Sequence, residues 1–162
     1  MTSQTSSSGT SSSTDVIPSS PAIPAIQGVS HIDLTVTDLD ASEAWYAKLF
    51  GLTRVLDGRN DDHNFSSRYL LHPDTMLIVG LVLHDSANAA TFDEHHVGLD
   101  HLSFAVASPE ELEAWADRLD DLGIERQPIT EAEMWDVLVF RDPDNIQLEL
   151  FHMKPAAADL LT

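Results

Sequence analysis

The sequence predicts an α+β fold made of two βαβββ modules, and three observations carry that expectation. First, Gly28, His31, Val36, Leu49 and the tripeptide Glu43-Ala44-Trp45 recur 70 residues on as Gly98, His101, Val106, Leu119 and Glu113-Ala114-Trp115. A tripeptide containing tryptophan seldom recurs in register by chance, so the chain reads as two copies of one unit. Second, each copy opens with period-two alternation and passes into helical spacing, the pattern of a strand feeding a helix. Third, 162 residues with 43% hydrophobic and 22% charged composition suit one globular domain with a sizeable core.

In the first copy Ile32, Leu34 and Val36 alternate with polar residues and form a half-buried strand. Asp40 with Glu43 has the capping chemistry of a helix start. Gly51 stands where that helix ends, since glycine accepts the left-handed conformation found there. Three strand-like stretches follow, near 52–57, 65–72 and 75–84. The second copy repeats the order. Leu102, Phe104 and Val106 alternate, Ser108, Pro109 and Glu111 open a helix, Leu112, Trp115, Ala116, Leu119 and Leu122 follow at helical spacing, and Gly123 closes it. Its strands are expected near 124–129, 135–141 and 145–152, the last two joined by the turn Asp142-Pro143-Asp144-Asn145.

Residues 1–26 are rich in Ser and Thr with Pro18, Pro21 and Pro24, too poor in apolar surface to offset the entropy of ordering, and are expected to be a disordered tail. The folded domain is expected over 27–153, with one module at about 27–90 and the other at about 97–153, and 154–162 as a trailing segment. Net charge −19 repels phosphate backbones and anionic lipid, which argues against nucleic-acid and membrane partners. The acidic excess, with Lys48 and Lys154 the sole lysines, fits a high-salt protein whose self-repulsion is screened, and equally an ordinary acidic bacterial protein. Without cysteine, disulfides, thiolate metal sites and cysteine nucleophiles are excluded. No apolar run approaches the roughly 18 to 20 residues that span a bilayer, and the Ser/Thr-rich start has no secretory pattern, so a cytoplasmic location is expected.

Strand side chains alternate between faces, and the helices need an apolar face to cover. Ile146, Leu148 and Leu150 therefore lie under the helices, and Glu149 faces away. The same parity turns His31, Asp33 and Thr35, and likewise His101, Ser103 and Ala105, away from the helices. If both sheets close around one concave surface, two imidazoles and a carboxylate converge there, a donor set that suits a divalent metal; a solvated face is the simpler alternative. The position matching Glu149 in the first copy is Gly80, which leaves three protein ligands and open coordination positions, as in catalytic sites. Met76, Ile78 and Val82 share the Gly80 row and make that side of the pocket apolar, while His84 at its end is a candidate base or supporting group. Trp135 is either a pocket wall or a core aromatic. Arg68 and Arg141 are the basic residues whose parity brings them near the cavity. Exposed sheet edges and small size predict a homodimer.

The duplicated pattern, the histidine opening each module and the closing stretch from Phe140 to Phe151 resemble the vicinal oxygen chelate superfamily of glyoxalase I, methylmalonyl-CoA epimerase, fosfomycin-resistance transferases, extradiol dioxygenases and bleomycin-resistance proteins. The usual glycine is missing from the turn Asp142-Pro143-Asp144-Asn145. The resemblance implies a curved, half-open mixed sheet around a metal site, with His31, His101 and Glu149 as ligands and Gly80, Ile78, Trp135 and Arg141 in the substrate pocket. It implies a metal that binds vicinal oxygens, Fe(II) first, with Mn(II), Zn(II) or Ni(II) as alternatives. The missing carboxylate at Gly80 argues against glyoxalase I proper, and scarce cations argue against a fosfomycin transferase. The expected activity is a dioxygenase-type oxidoreductase, followed by a glyoxalase-like lyase or isomerase, with a non-catalytic, bleomycin-resistance-like binder as the contrasting class.

Overall fold

The computed structural model describes residues 24–86 and 90–158; most of the expected tail, residues 1–23, lies outside them. The first module runs β1 (Ile32–Thr35), α1 (Leu39–Phe50), β2 (Thr53–Asn60), β3 (Phe65–Leu71) and β4 (Ile78–His84). The second runs β5 (Leu102–Ala105), α2 (Pro109–Asp121), β6 (Thr130–Glu131), β7 (Trp135–Arg141) and β8 (Gln147–Met153), followed by a short α3 (Pro155–Ala158). The duplicated βαβββ expectation holds. Each module forms its own four-stranded mixed sheet, ordered β1-β4-β3-β2 and β5-β8-β7-β6, with the first strand parallel to the last.

Local chemistry explains the boundaries. The α1 cap is Asp38 rather than Asp40: its carboxylate accepts from the Asp40 and Ala41 amides, so the helix begins earlier than the Asp40–Glu43 pair suggests. Ser108 caps α2 as expected, with Pro109 in its first turn. Gly51 and Gly123 both adopt positive φ, 72° and 68°, at the helix ends. The strand expected at 124–129 does not form. Pro128 has no amide to donate, and the segment makes an isolated bridge from Arg126 to Phe140 and one bond from the Gln127 amide to the Val139 carbonyl, before the two-residue β6. Met76 is a second correction. It sits at φ 58° in the turn before β4, 65% exposed, and so is not on the Gly80 row.

The helix-covered faces of both sheets share one core. Leu34, Leu70, Val79 and Leu81 from the first sheet join Leu138, Phe140, Leu148 and Leu150 from the second, with Tyr46, Leu49, Leu112, Ala116 and Leu119 from the helices between them. Phe50 packs on Phe104 and Trp115, and Trp45 on Phe140, so α1 bridges the modules. Each fully buried leucine contributes about 1.5–3 kcal/mol over leaving it exposed.

The β7–β8 turn adds a polar lock. Asp142 accepts from the Tyr46 hydroxyl at 2.9 Å and from its own turn's Asp144 and Ile146 amides, while Asp144 accepts from the Thr37 amide and hydroxyl. Burial pushes the Asp142 carboxyl above its ordinary range, and burial beside Asp142 pushes the Tyr46 hydroxyl upward too. Asn145, at φ 70°, occupies the left-handed position that the missing glycine would fill, a conformation asparagine tolerates.

Candidate metal centre

The register confirms the parity argument for the faces away from the core. Asp33 lies beside Gly80 across the parallel β1–β4 pair, and Ser103 lies beside Glu149 across β5–β8. Gly80 and Glu149 therefore occupy matching positions on the last strands of their modules. His31 and His101 sit one residue before β1 and β5, with side chains 48% and 39% exposed.

Both histidines are held in the same way. The Nδ1 of His101 lies 2.6 Å from Asp100 Oδ1, and the Nδ1 of His31 is hydrogen-bonded to Ser30 Oγ at 2.9 Å. A carboxylate at Nδ1, as Asp100 is to His101, favours the tautomer whose Nε2 carries a lone pair, the usual support for a metal-binding imidazole, while the Ser30 hydroxyl can either donate to or accept from His31. The His101 Nε2 lies 3.4 Å from Glu149 Oε2, and the His31 Nε2 lies 3.9 Å from Asp33 Oδ1.

Glu149 has a support of its own. The Gln147 amide donates to its Oε1 at 3.3 Å, Arg141 donates to Gln147 Oε1 at 3.2 Å, and Arg141 forms a two-pronged pair with Glu94. The Arg141 guanidinium holds the Glu94 carboxyl down at about 2. Arg141 thus lies on the expected face but spends its charge on Glu94. Arg68 lies across β3 toward α1, paired with Asp40 and Glu43.

Trp135 is not a core residue. It is 42% exposed and stacks on Phe151, with ring centroids 6.3 Å apart, on the Glu149 face. Ile78 and Gly80 lie on the first module's outward row as expected. His84 ends that row four residues beyond Gly80, about 13 Å along the strand, edge-on to Phe65. That span takes it out of direct reach of a metal held near Gly80. Sequence reasoning did not single out Tyr69. It pairs with Gly80 across β3–β4 and meets His31 edge-on at 6.1 Å, and its odd position in an alternating strand was the available signal.

Among the described residues, His31, His101 and Glu149 do not form one set of donors within 4.8 Å of one another. One metal needs its donors within about 4 Å of each other, given bonds near 2.0–2.2 Å. Among the described residues, the only set of three or more such donors within 4.8 Å of one another is Asp93, Glu94 and His95, an exposed loop whose Glu94 is engaged by Arg141. The chain brings His101 beside Glu149 and His31 beside Asp33, on sheet faces that both look out of the shared core.

Two βαβββ modules, each presenting a histidine beside a carboxylate on its open sheet face, define a paired-module class of fold. The chain belongs to the Glyoxalase/Bleomycin resistance protein/Dioxygenase superfamily, whose sequence profile matches residues 28–150. It is similar to the crystal structure of a glyoxylase/bleomycin resistance protein/dioxygenase domain from Frankia sp. EAN1pec, at 38% identity and TM-score 0.74, over 80% of this chain and 100% of that one. It also resembles the fosfomycin resistance protein FosX from Listeria monocytogenes, complexed with Mn(II) and sulfate, at 25% identity and TM-score 0.58, over 82% of this chain and 97% of that one. A glyoxalase family protein from Enterococcus faecalis shares the fold at 23% identity and TM-score 0.64, over 77% of this chain and 97% of that one. No curated protein matches the chain.

Proposed function

We propose that the protein is a divalent-metal-dependent enzyme that holds two neighbouring oxygens of a small organic substrate, its metal centre completed between two copies of the chain. The observation that carries this reading is the pair of half-sites: His31 on one sheet and His101 with Glu149 on the other, each ring hydrogen-bonded at Nδ1 with its Nε2 turned toward a carboxylate, on faces turned out of the core. The imidazole and carboxylate donors fit a borderline or hard divalent cation, and the Mn(II) complex of FosX supports that choice. Laid face to face, the first sheet of one copy and the second sheet of another would bring His31 to His101 and Glu149. A homodimer then holds two such centres, related by its two-fold axis.

When bound, the cation supplies Lewis acidity to the paired substrate oxygens. The chain's own residues do the rest. Asp100 and Ser30 fix the imidazoles, Gln147 fixes Glu149, and Tyr69, Ile78 and the Trp135–Phe151 stack line the faces with surface suited to a planar or apolar substrate body. The pairing of Arg68 and Arg141 with acidic residues supports a substrate other than a phosphonate. Three protein donors suit iron(II) and a dioxygenase-type oxidoreductase, and four suit a redox-neutral lyase or isomerase. Among the described residues no helix is long and apolar enough to cross a membrane, in keeping with the cytoplasmic location proposed for the enzyme.

The test is elemental analysis of anaerobically purified protein alongside sedimentation. The expected result is a dimer with close to one divalent metal per chain, and a His101→Ala variant that stays dimeric but loses the metal. A chain that takes up no iron, manganese, zinc or nickel on reconstitution would overturn the enzyme reading and leave ligand sequestration.

A further inference from the structure

Gly80 leaves a vacancy in the first module where the second has Glu149, yet that space is not empty. A Cβ built on Gly80 would lie 2.0 Å from Asp33 Oδ1 and 2.9 Å from its Cγ. The Asp33 carboxylate therefore leans across the β1–β4 pair and fills the place where a side chain at position 80 would begin. Among the described residues its only ion-pair partner is His31, whose Nε2 lies 3.9 Å away, so no arginine or lysine accounts for a negative charge held there. The side chain is 39% exposed on the same open face.

We propose that Asp33 is the first module's metal-binding carboxylate, supplied from β1 because Gly80 on β4 makes room for it. This assignment rests on the metal centre proposed above. The joined centre then has His31 and Asp33 from one copy and His101 and Glu149 from the other, two neutral imidazoles and two carboxylates that balance a divalent charge. Four protein donors would leave a divalent cation fewer open positions than three, enough to hold two neighbouring substrate oxygens.

Gly80 makes the idea testable from both strands. In Asp33→Asn the carboxylate is lost, and in Gly80→Ala the added methyl displaces it. Mn(II) affinity of the full-length dimer, read from the EPR signal of free Mn(II), should fall at least about tenfold in each, since even supporting groups of metal ligands are worth 10- to 100-fold. The double variant Asp33→Ala/Gly80→Glu, which moves the carboxylate to the last strand as in the second module, should recover most of the affinity. Unchanged Mn(II) affinity in Asp33→Asn would overturn the assignment, and His101→Ala measured in parallel locates the failure. Loss of binding there confines the error to Asp33, and retained binding removes the metal centre with it.

Discussion

The two modules carry their histidines at matching positions but their carboxylates on different strands. In the second module the first strand is bare, with Ser103, and Glu149 reaches from the last strand to within 3.4 Å of His101. In the first module the last strand is bare, with Gly80, and Asp33 reaches from the first strand to within 3.9 Å of His31. Parallel neighbours on one face sit side by side, so a carboxylate can move from one strand to the next and still occupy the same region of space. A duplicated scaffold thus keeps a charge in place while the residue bearing it changes position.

The strongest way to break the comparison is to remove one histidine from each half. His31→Ala and His101→Ala should each reduce metal affinity by at least about 100-fold, and thermal midpoints should move by no more than about 2 °C, because half-exposed side chains contribute little packing. Titration with Mn(II) and thermal melts check both. A loss confined to His101→Ala would mean that the halves are not equivalent.

Next in size is the lock that ties the halves into one core. Asp142→Ala removes the acceptor for the Tyr46 hydroxyl and two turn amides, all buried, and should cost about 2–4 kcal/mol, or roughly 10 °C in midpoint. A change below about 2 °C in a thermal melt would show that apolar packing alone joins the modules. Gln147→Ala sharpens the comparison from the other side. It frees Glu149 without touching the first half, so Mn(II) affinity should fall by about tenfold with the dimer unchanged.

The smallest effect is on acid stability. The Glu94 carboxyl is held at about 2 by Arg141, below its ordinary value of 4.5. A group lowered on folding contributes stability above its ordinary value and loses it as pH falls through the folded value. Stability should therefore decline between about pH 4.5 and pH 2, and Glu94→Gln should flatten that part of the acid-unfolding curve.

The duplication, both helices and the outward placement of His31, His101, Glu149 and Gly80 were readable in the sequence, because repeat offset and strand parity depend on local spacing. The missing strand at 124–129 was obscured by Ile124 and Ile129, which suggest a strand, while Pro128 denies it one. Asp33 was placed on the right face, but its lean over Gly80 depends on a side-chain rotation that no spacing encodes. The lock joining Asp142 to Tyr46 spans 96 positions, and the Asp144–Thr37 contact 107, so neither leaves a local trace. Which faces the two modules turn toward each other was hidden for the same reason. It follows from α1 packing against both sheets, a contact between modules rather than within one.

The central claim, a metal centre built from one half of each copy, is tested most directly by mixing two inactive chains. His31→Ala and His101→Ala copies, carrying different affinity tags, would be co-expressed and the mixed dimer isolated. The account predicts about one metal per mixed dimer and none in either pure variant, because one of the two centres then receives both of its intact halves. A metal-free mixed dimer, or an unaltered chain that binds a full equivalent of metal as a monomer, would contradict it.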